Sequence, residues 1–110
     1  MNALLFTNAI IFDGDKFVDA DSLRVADGVV TEIGAQLTAN DGEQVIDVEK
    51  KWLLPGLVDC HVHFREPGLV RKEGYEFGSR GALHGGVTTV CEIQNNPPLM
   101  STAQLLQQKL

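Results

Sequence analysis

Two apolar runs, Leu57 to Phe64 and Val87 to Ile93, stand 22 residues apart with a helix-like segment between them. Parallel strands cannot be joined by a tight turn and need a long crossover, usually helical, so this spacing predicts a βαβ unit. The crossover helix is expected over Glu73 to His84. Gly78 and Gly81 inside it each cost about 1 kcal/mol relative to Ala, which points to close packing of the helix backbone against the sheet, and Gly85-Gly86 ends it. A second helix is expected from Ser101-Thr102-Ala103-Gln104, a capping-box pattern. Its apolar stripe, Leu105, Leu106 and Leu110, runs to the last residue. A strand-helix-strand-helix series that stops mid-helix predicts the first quarter of a larger α/β structure.

The first half has a different texture. Residues 1–54 are short β-type runs separated by Asp13-Gly14, Asp27-Gly28 and Asp41-Gly42, pairs that tolerate positive φ. The strongest hairpin joins Ser22–Ala26 to Val29–Ile33 through the two-residue Asp27-Gly28 loop. The flanks of the three pairs do not match, so they are not a repeat. Pro55-Gly56 marks the break, giving a small β-sheet segment over 1–54 and a βαβα segment over 55–110.

Charge narrows the function classes. The chain carries 15 acidic and 9 basic side chains, a net charge of −6, so the counterion release that drives nucleic-acid binding is missing and no nucleic-acid partner is expected. No apolar stretch approaches the roughly 20 residues needed to cross a bilayer, so no membrane partner is expected either. The two cysteines, Cys60 and Cys91, offer no disulfide framework and read as small buried hydrophobes. The expected setting is cytoplasmic, and self-association into a homo-oligomer is the macromolecular partnership left open. The acids concentrate in residues 1–50, so an anionic ligand should favour the second half.

Within the first apolar run lie His61 and His63. On a strand, side chains alternate faces, so Asp59, His61, His63 and, if the strand runs that far, Arg65 face one way, while Cys60, Val62 and Phe64 face the other. Two neutral imidazoles at i and i+2 can approach one divalent cation together if the second nitrogen of each is held by an outer acceptor. Read alone, the pair is a metal ligand set or two core histidines at chance spacing. Asp59 in phase, the Pro-Gly entry and the Arg65-Glu66-Pro67-Gly68 exit favour the ligand set. Arg65 reads as a substrate-binding arginine or as a surface partner of Glu66. Asn95 reads as a binding residue or as a turn residue before Pro97-Pro98. His84, at the expected helix C-terminus, is structural, favoured there by the helix dipole.

The run Pro55-Gly56-Leu57-Val58-Asp59-Cys60-His61-Val62-His63-Phe64-Arg65-Glu66-Pro67-Gly68 closely resembles the signature of dihydroorotases in the amidohydrolase superfamily. Gly85-Gly86-Val87-Thr88-Thr89-Val90 and Asn95-Asn96-Pro97-Pro98 resemble that family's next landmark. Residues 1–54 resemble the β-sandwich segment that precedes the barrel. The resemblance implies an α/β fold with a small β-sandwich segment followed by the first βαβα units of a (β/α)8 TIM-type barrel. Such a barrel takes about 250 residues, so a truncated barrel is expected.

The implied activity is zinc-dependent hydrolysis of a cyclic amide. The reaction is interconversion of dihydroorotate and N-carbamoyl-aspartate in pyrimidine biosynthesis, with one or two zinc ions as cofactor. His61 and His63 fall on the metal-binding His-x-His. Arg65 falls on the arginine that holds the substrate carboxylate, and Asn95 on the asparagine that assists it. No catalytic acid or base falls within these residues, and Lys50, Lys51 and Lys72 do not match the carbamylated lysine of related enzymes. The isolated chain is therefore expected to be inactive. Where Met-Pro-Asn-Thr is usual in the family, this chain has Ile93-Gln94-Asn95-Asn96, which leaves room for Asn96 in the binding role and for an altered substrate. The alternatives are an allantoinase or dihydropyrimidinase type of hydrolase, from which Arg65 argues away, and a non-catalytic dihydroorotase-like structural partner.

Overall fold

The computed structural model describes residues 3–108 and divides after Pro55 into two units. The first unit is built on β1 (Ala3–Thr7), which pairs antiparallel with β3 (Ser22–Ala26) and parallel with β5 (Gln44–Asp47); β4 (Val29–Gly34) completes a four-stranded mixed sheet in the order β4-β3-β1-β5. A second, two-stranded parallel sheet pairs β2 (Ile10–Ile11) with β6 (Trp52–Leu53). Leu5 on the central strand and Ile11 are each 1% exposed and anchor the core. Phe17 packs edge-on against Phe12 and beside Trp52, with ring centroids 5.3 and 5.4 Å apart.

The β3–β4 hairpin forms through Asp27 and Gly28, whose φ values of 50° and 81° match the left-handed turn that suits the twist of two strands. Opposite each other in register stand Arg24 and Glu32, which form an ion pair. The same guanidinium bonds Glu43 at 2.8 Å and the Thr38 carbonyl at 2.7 Å, so one side chain pins the connection between β4 and β5 to the sheet. An apolar recess of about 410 Å³ opens over this sheet, lined by Phe6, Ile11, Leu23, Val25, Leu53 and Leu54 among others. Asp13 is its one ionisable lining residue.

In the second unit β7 (Leu57–Val62) and β8 (Val87–Glu92) pair in parallel, and the crossover contains a 3-10 helix (Val70–Lys72) and α1 (Tyr75–His84). The βαβ unit is therefore present with shorter elements than the residue pattern predicts. β7 ends at Val62 rather than Phe64, and β8 at Glu92 rather than Ile93. α1 starts at Tyr75 rather than Glu73, because the Glu66 carboxylate accepts a 2.8 Å hydrogen bond from the Tyr75 N–H and satisfies a helix-start donor from nine residues upstream.

Gly78 meets the expectation of close packing: it is buried, and a Cβ there would collide with the Phe64 ring. Gly81 does not, since a Cβ there would meet nothing within 4 Å. Phe64, 6% exposed, also packs edge-on against Tyr75 with centroids 5.8 Å apart, and so forms the seam between strand and helix. The last helix, α2 (Ala103–Gln107), is capped by Thr102, whose hydroxyl accepts from the Leu105 N–H at 3.2 Å. The cap lies one residue later than the expected capping box, so Gln104 is not the residue that faces it. Leu110, the third residue of the expected stripe, lies outside the described residues. Cys60 and Cys91, read from the sequence as buried, are both exposed, one on each strand of a two-stranded sheet that covers neither fully.

Candidate metal and substrate site

The C-terminal ends of β7 and β8 lie side by side, tied where the Ile93 N–H donates to the Val62 carbonyl at 2.9 Å. His61 is the penultimate residue of β7, and His63 follows the strand's last residue. Their rings stand edge to face with centroids 5.0 Å apart. Asp59, two residues earlier, accepts a 3.0 Å hydrogen bond from the His61 backbone N–H and stiffens the strand just before the pair.

The His63 Nδ1 hydrogen-bonds the Ile93 carbonyl oxygen. A carbonyl can only accept, so Nδ1 carries a proton, and the tautomer this selects in a neutral ring is the one that leaves Nε2 for a metal. This partner is a backbone atom, and no residue type in the sequence announces it. The two rings fit a zinc ion as neighbouring nitrogen ligands. They are also fewer than the three or four protein ligands of a zinc site. Among the described residues no group of three or more His, Cys, Asp or Glu side chains converges to complete one.

Arg65 leaves the strand direction altogether, at φ 68° in the left-handed region. The in-phase series read from the sequence thus holds for the two histidines but not for Arg65, which reaches the site by a turn. Its Nη1 donates to the Asn95 Oδ1 at 2.5 Å. Glu66 is engaged with the Tyr75 N–H instead, so the alternative of a surface Arg65–Glu66 pair is replaced by a contact between the loops that follow the two strands. Asn95 is exposed, whereas Asn96 is 1% exposed and donates its amide to the Pro67 carbonyl. The two adjacent asparagines therefore divide the work: Asn95 faces Arg65 and Asn96 faces the chain. Gln94, at the other departure from the family pattern, donates to the Pro98 carbonyl at 3.2 Å. His84 closes α1, where the helix dipole favours a basic side chain.

The defining pattern of the amidohydrolase family matches residues 52–109, more than half of the chain. The chain belongs to the amidohydrolase family. Among curated proteins this amidohydrolase is 42% identical over 104 residues to a dihydroorotase of Clostridium botulinum, covering 94% of this chain and 26% of that one. It is 41% identical over 108 residues to a dihydroorotase of Enterococcus faecalis, covering 98% and 25%. It thus spans about a quarter of the length of the curated relatives it matches. Among solved structures it superposes on an L-hydantoinase (dihydropyrimidinase) of Arthrobacter aurescens with a TM-score of 0.84 at 28% identity, over 99% of this chain and 24% of that one. A D-hydantoinase (dihydropyrimidinase) of a Thermus species gives a TM-score of 0.71 at 36% identity, over 96% and 24%. Among the described residues no helix of this amidohydrolase is long and apolar enough to cross a membrane.

Three features of the site carry no sequence signal of their own. The Ile93 carbonyl is backbone. The Glu66 link to Tyr75 joins residues nine apart. Asn96 is distinguishable from Asn95 only once the two loops are in contact.

Proposed function

We propose that this chain is the N-terminal part of a zinc-dependent cyclic amidohydrolase, a dihydroorotase that interconverts dihydroorotate and N-carbamoyl-aspartate in pyrimidine biosynthesis. In this reading residues 1–54 are the β-sandwich segment and residues 55–110 the first strands and helices of a (β/α)8 barrel, in a cytoplasmic enzyme that takes no nucleic acid or membrane as partner. The observation that carries it is the His61–His63 pair at the end of β7, with the His63 Nδ1 proton directed to the Ile93 carbonyl. The likeness to dihydroorotases across nearly the whole chain supports the same reading.

His61 and His63 would hold the zinc, with its remaining ligands and the general acid and base contributed from outside these residues. Zinc supplies Lewis-acid chemistry, lowering the pKa of bound water to about 7 and making a nucleophile available at neutral pH. The chain's own contribution is orientation. The Ile93 carbonyl fixes the His63 ring and its tautomer. Arg65 presents a planar fork of donors, the shape that grips a carboxylate at two points where a lysine would give one. Asn95 uses one of those donors and sets the rotation of the guanidinium.

A second reading, a hydrolase of the hydantoinase or dihydropyrimidinase type, is favoured by the solved structures that superpose on this chain. Arg65 separates the two, because it suits a substrate bearing an acid group. The test is an assay of the full-length protein on dihydroorotate, a 5-substituted hydantoin and allantoin, with its zinc content measured. The expected result is one or two zinc ions and turnover of dihydroorotate, with none by the 110-residue chain alone. Turnover of hydantoin or allantoin but not dihydroorotate would overturn the substrate assignment, and absence of both zinc and turnover would leave a non-catalytic structural partner.

A further inference from the structure

We propose that Asn96 is a positioning residue that clasps the loop carrying Arg65 to the loop carrying Asn95, and so sets the grip on a substrate carboxylate. The inference rests on the assignment of Arg65 and Asn95 to that carboxylate. Arg65 stands at φ 68°, a conformation few non-glycine residues hold without external restraint. The loop that follows is tied at its far side, where Glu66 accepts from the Tyr75 N–H and the Phe64 carbonyl accepts from the Gly74 N–H at 2.8 Å. On the near side its side-chain tie is the Asn96 amide, which donates to the Pro67 carbonyl.

The burial pattern shows how tightly this tie is made. Asn95 and Pro97 are exposed, yet Asn96 between them is 1% exposed and its Oδ1 has no hydrogen-bond partner among the described residues. A buried amide oxygen without a partner is unfavourable, so the position is held by what the amide nitrogen does. The backbones also touch: a Cβ on Gly68 would collide with the Pro97 carbonyl, and Gly68 itself sits at φ 105°. Loop 65–68 and loop 94–98 are therefore joined at two adjacent points, the Asn96 amide on Pro67 and the close approach of Gly68 to Pro97. With the clasp released, Arg65 is free to relax from its left-handed turn and to leave the Asn95 Oδ1.

The test is steady-state kinetics of the full-length protein on dihydroorotate and on its methyl ester, which lacks the charge. For Asn96→Ala the KM for dihydroorotate should rise about tenfold with kcat within about threefold, the loss of roughly one well-aligned contact, while the KM for the ester stays as it is in the parent. In an Arg65→Ala background, adding Asn96→Ala should raise the KM no further. If Asn96→Ala does not fold, Asn96→Ser, which keeps a shorter hydroxyl donor, should give a smaller rise confined to the acid.

Equal losses on both substrates, or additive effects of the two substitutions, would make Asn96 a general packing residue and overturn the proposal while leaving Arg65 in place. If Arg65→Ala itself leaves the KM for the acid unchanged, the carboxylate assignment fails and this inference fails with it.

Discussion

In the first unit Asp13, Glu43 and Asp47 each accept from a backbone N–H two or three residues away, whereas in the second unit side chains of the segments that follow two parallel strands reach across to the opposite segment. Asp13 accepts from the Lys16 and Asp15 N–H groups, Asp47 from the Glu49 N–H, and Glu43 from the Asn40 N–H as well as from Arg24. The backbone contacts among these are turn contacts that satisfy the local chain. In the second unit His63 meets Ile93, Arg65 meets Asn95 and Pro67 meets Asn96, each pair about thirty residues apart in sequence. Local satisfaction makes scaffold. Convergence from separate loops at the C-terminal ends of parallel strands is the arrangement by which a barrel builds chemistry. The apolar recess of the first unit fits the contrast, since its lining has one ionisable residue and no convergent polar groups to orient a substrate.

The sharpest way to break this contrast is to remove the histidines. In the full-length protein the double variant His61→Asn, His63→Asn should lose zinc and lower kcat/KM by on the order of a thousandfold or more, as when a reacting group's activation is removed. Substitutions of Asp13 or Asp47 to Asn should leave kcat/KM within about twofold, as expected of exposed side chains whose contacts lie within the first unit. A histidine variant with zinc content and activity intact would place the chemistry elsewhere and dissolve the distinction between the units.

The next largest effects concern what holds the site. Phe64→Ala removes the seam between β7 and α1 and should cost about 3–5 kcal/mol of stability. Gly78→Ala forces a methyl group into the Phe64 ring and should cost about 1–3 kcal/mol in spite of its better helix propensity. Gly81→Ala, facing open space on the same helix, should instead gain up to about 1 kcal/mol. Denaturant unfolding followed through Tyr75, the only tyrosine, reads all three in the second unit. Equal effects at the two glycines would mean that the Phe64 contact does not decide the packing.

How much of this was legible in the residues follows the same division. The Asp27-Gly28 hairpin is readable because its whole cause lies in two adjacent residues with positive φ. The crossover is readable because parallel strands impose a minimum separation. The ends of elements are not, since they depend on distant partners: the chain that leaves β7 turns at Arg65, whose side chain meets Asn95, and the first N–H of α1 is met by Glu66. The histidine pair is legible from its spacing and flanks, but its tautomer needs the Ile93 carbonyl. The equivalence of Gly78 and Gly81 in the sequence hides the fact that one faces Phe64 and the other faces nothing.

Acid provides a further test, centred on the first unit. Neighbouring backbone donors hold Asp13, Asp21, Glu43 and Asp47 below the usual carboxylate range, led respectively by the N–H groups of Lys16, Gln36, Asn40 and Glu49, and Arg24 adds its charge at Glu43. A carboxyl whose pKa is depressed on folding stabilises the fold at neutral pH, and that stabilisation is lost as the pH falls through the unfolded value, about 4, and on through the folded one. Thermal unfolding followed through Trp52, the only tryptophan, should therefore shift to lower temperature as the medium is acidified below about pH 5. Glu43→Gln should flatten part of that dependence. A Tyr75 transition superimposed on that of Trp52 at every pH would mean that the two units unfold as one.

The smallest expected effect probes how locally the first unit is determined. Asp27 occupies the first position of a two-residue hairpin loop at φ 50°, and Gly28 the second at φ 81°. Both tolerate positive φ, but Asn is the more favoured residue before Gly in this turn. The Arg24–Glu32 pair and the register of β3 against β4 are untouched by a change at the tip. Asp27→Asn should accordingly raise stability by no more than about 0.5 kcal/mol, with one negative charge fewer in a unit rich in them and no change in strand register. A loss of stability on that substitution, read through Trp52, would show that Asp27 has a partner beyond its own turn, and the first unit would then share the long-range character of the second.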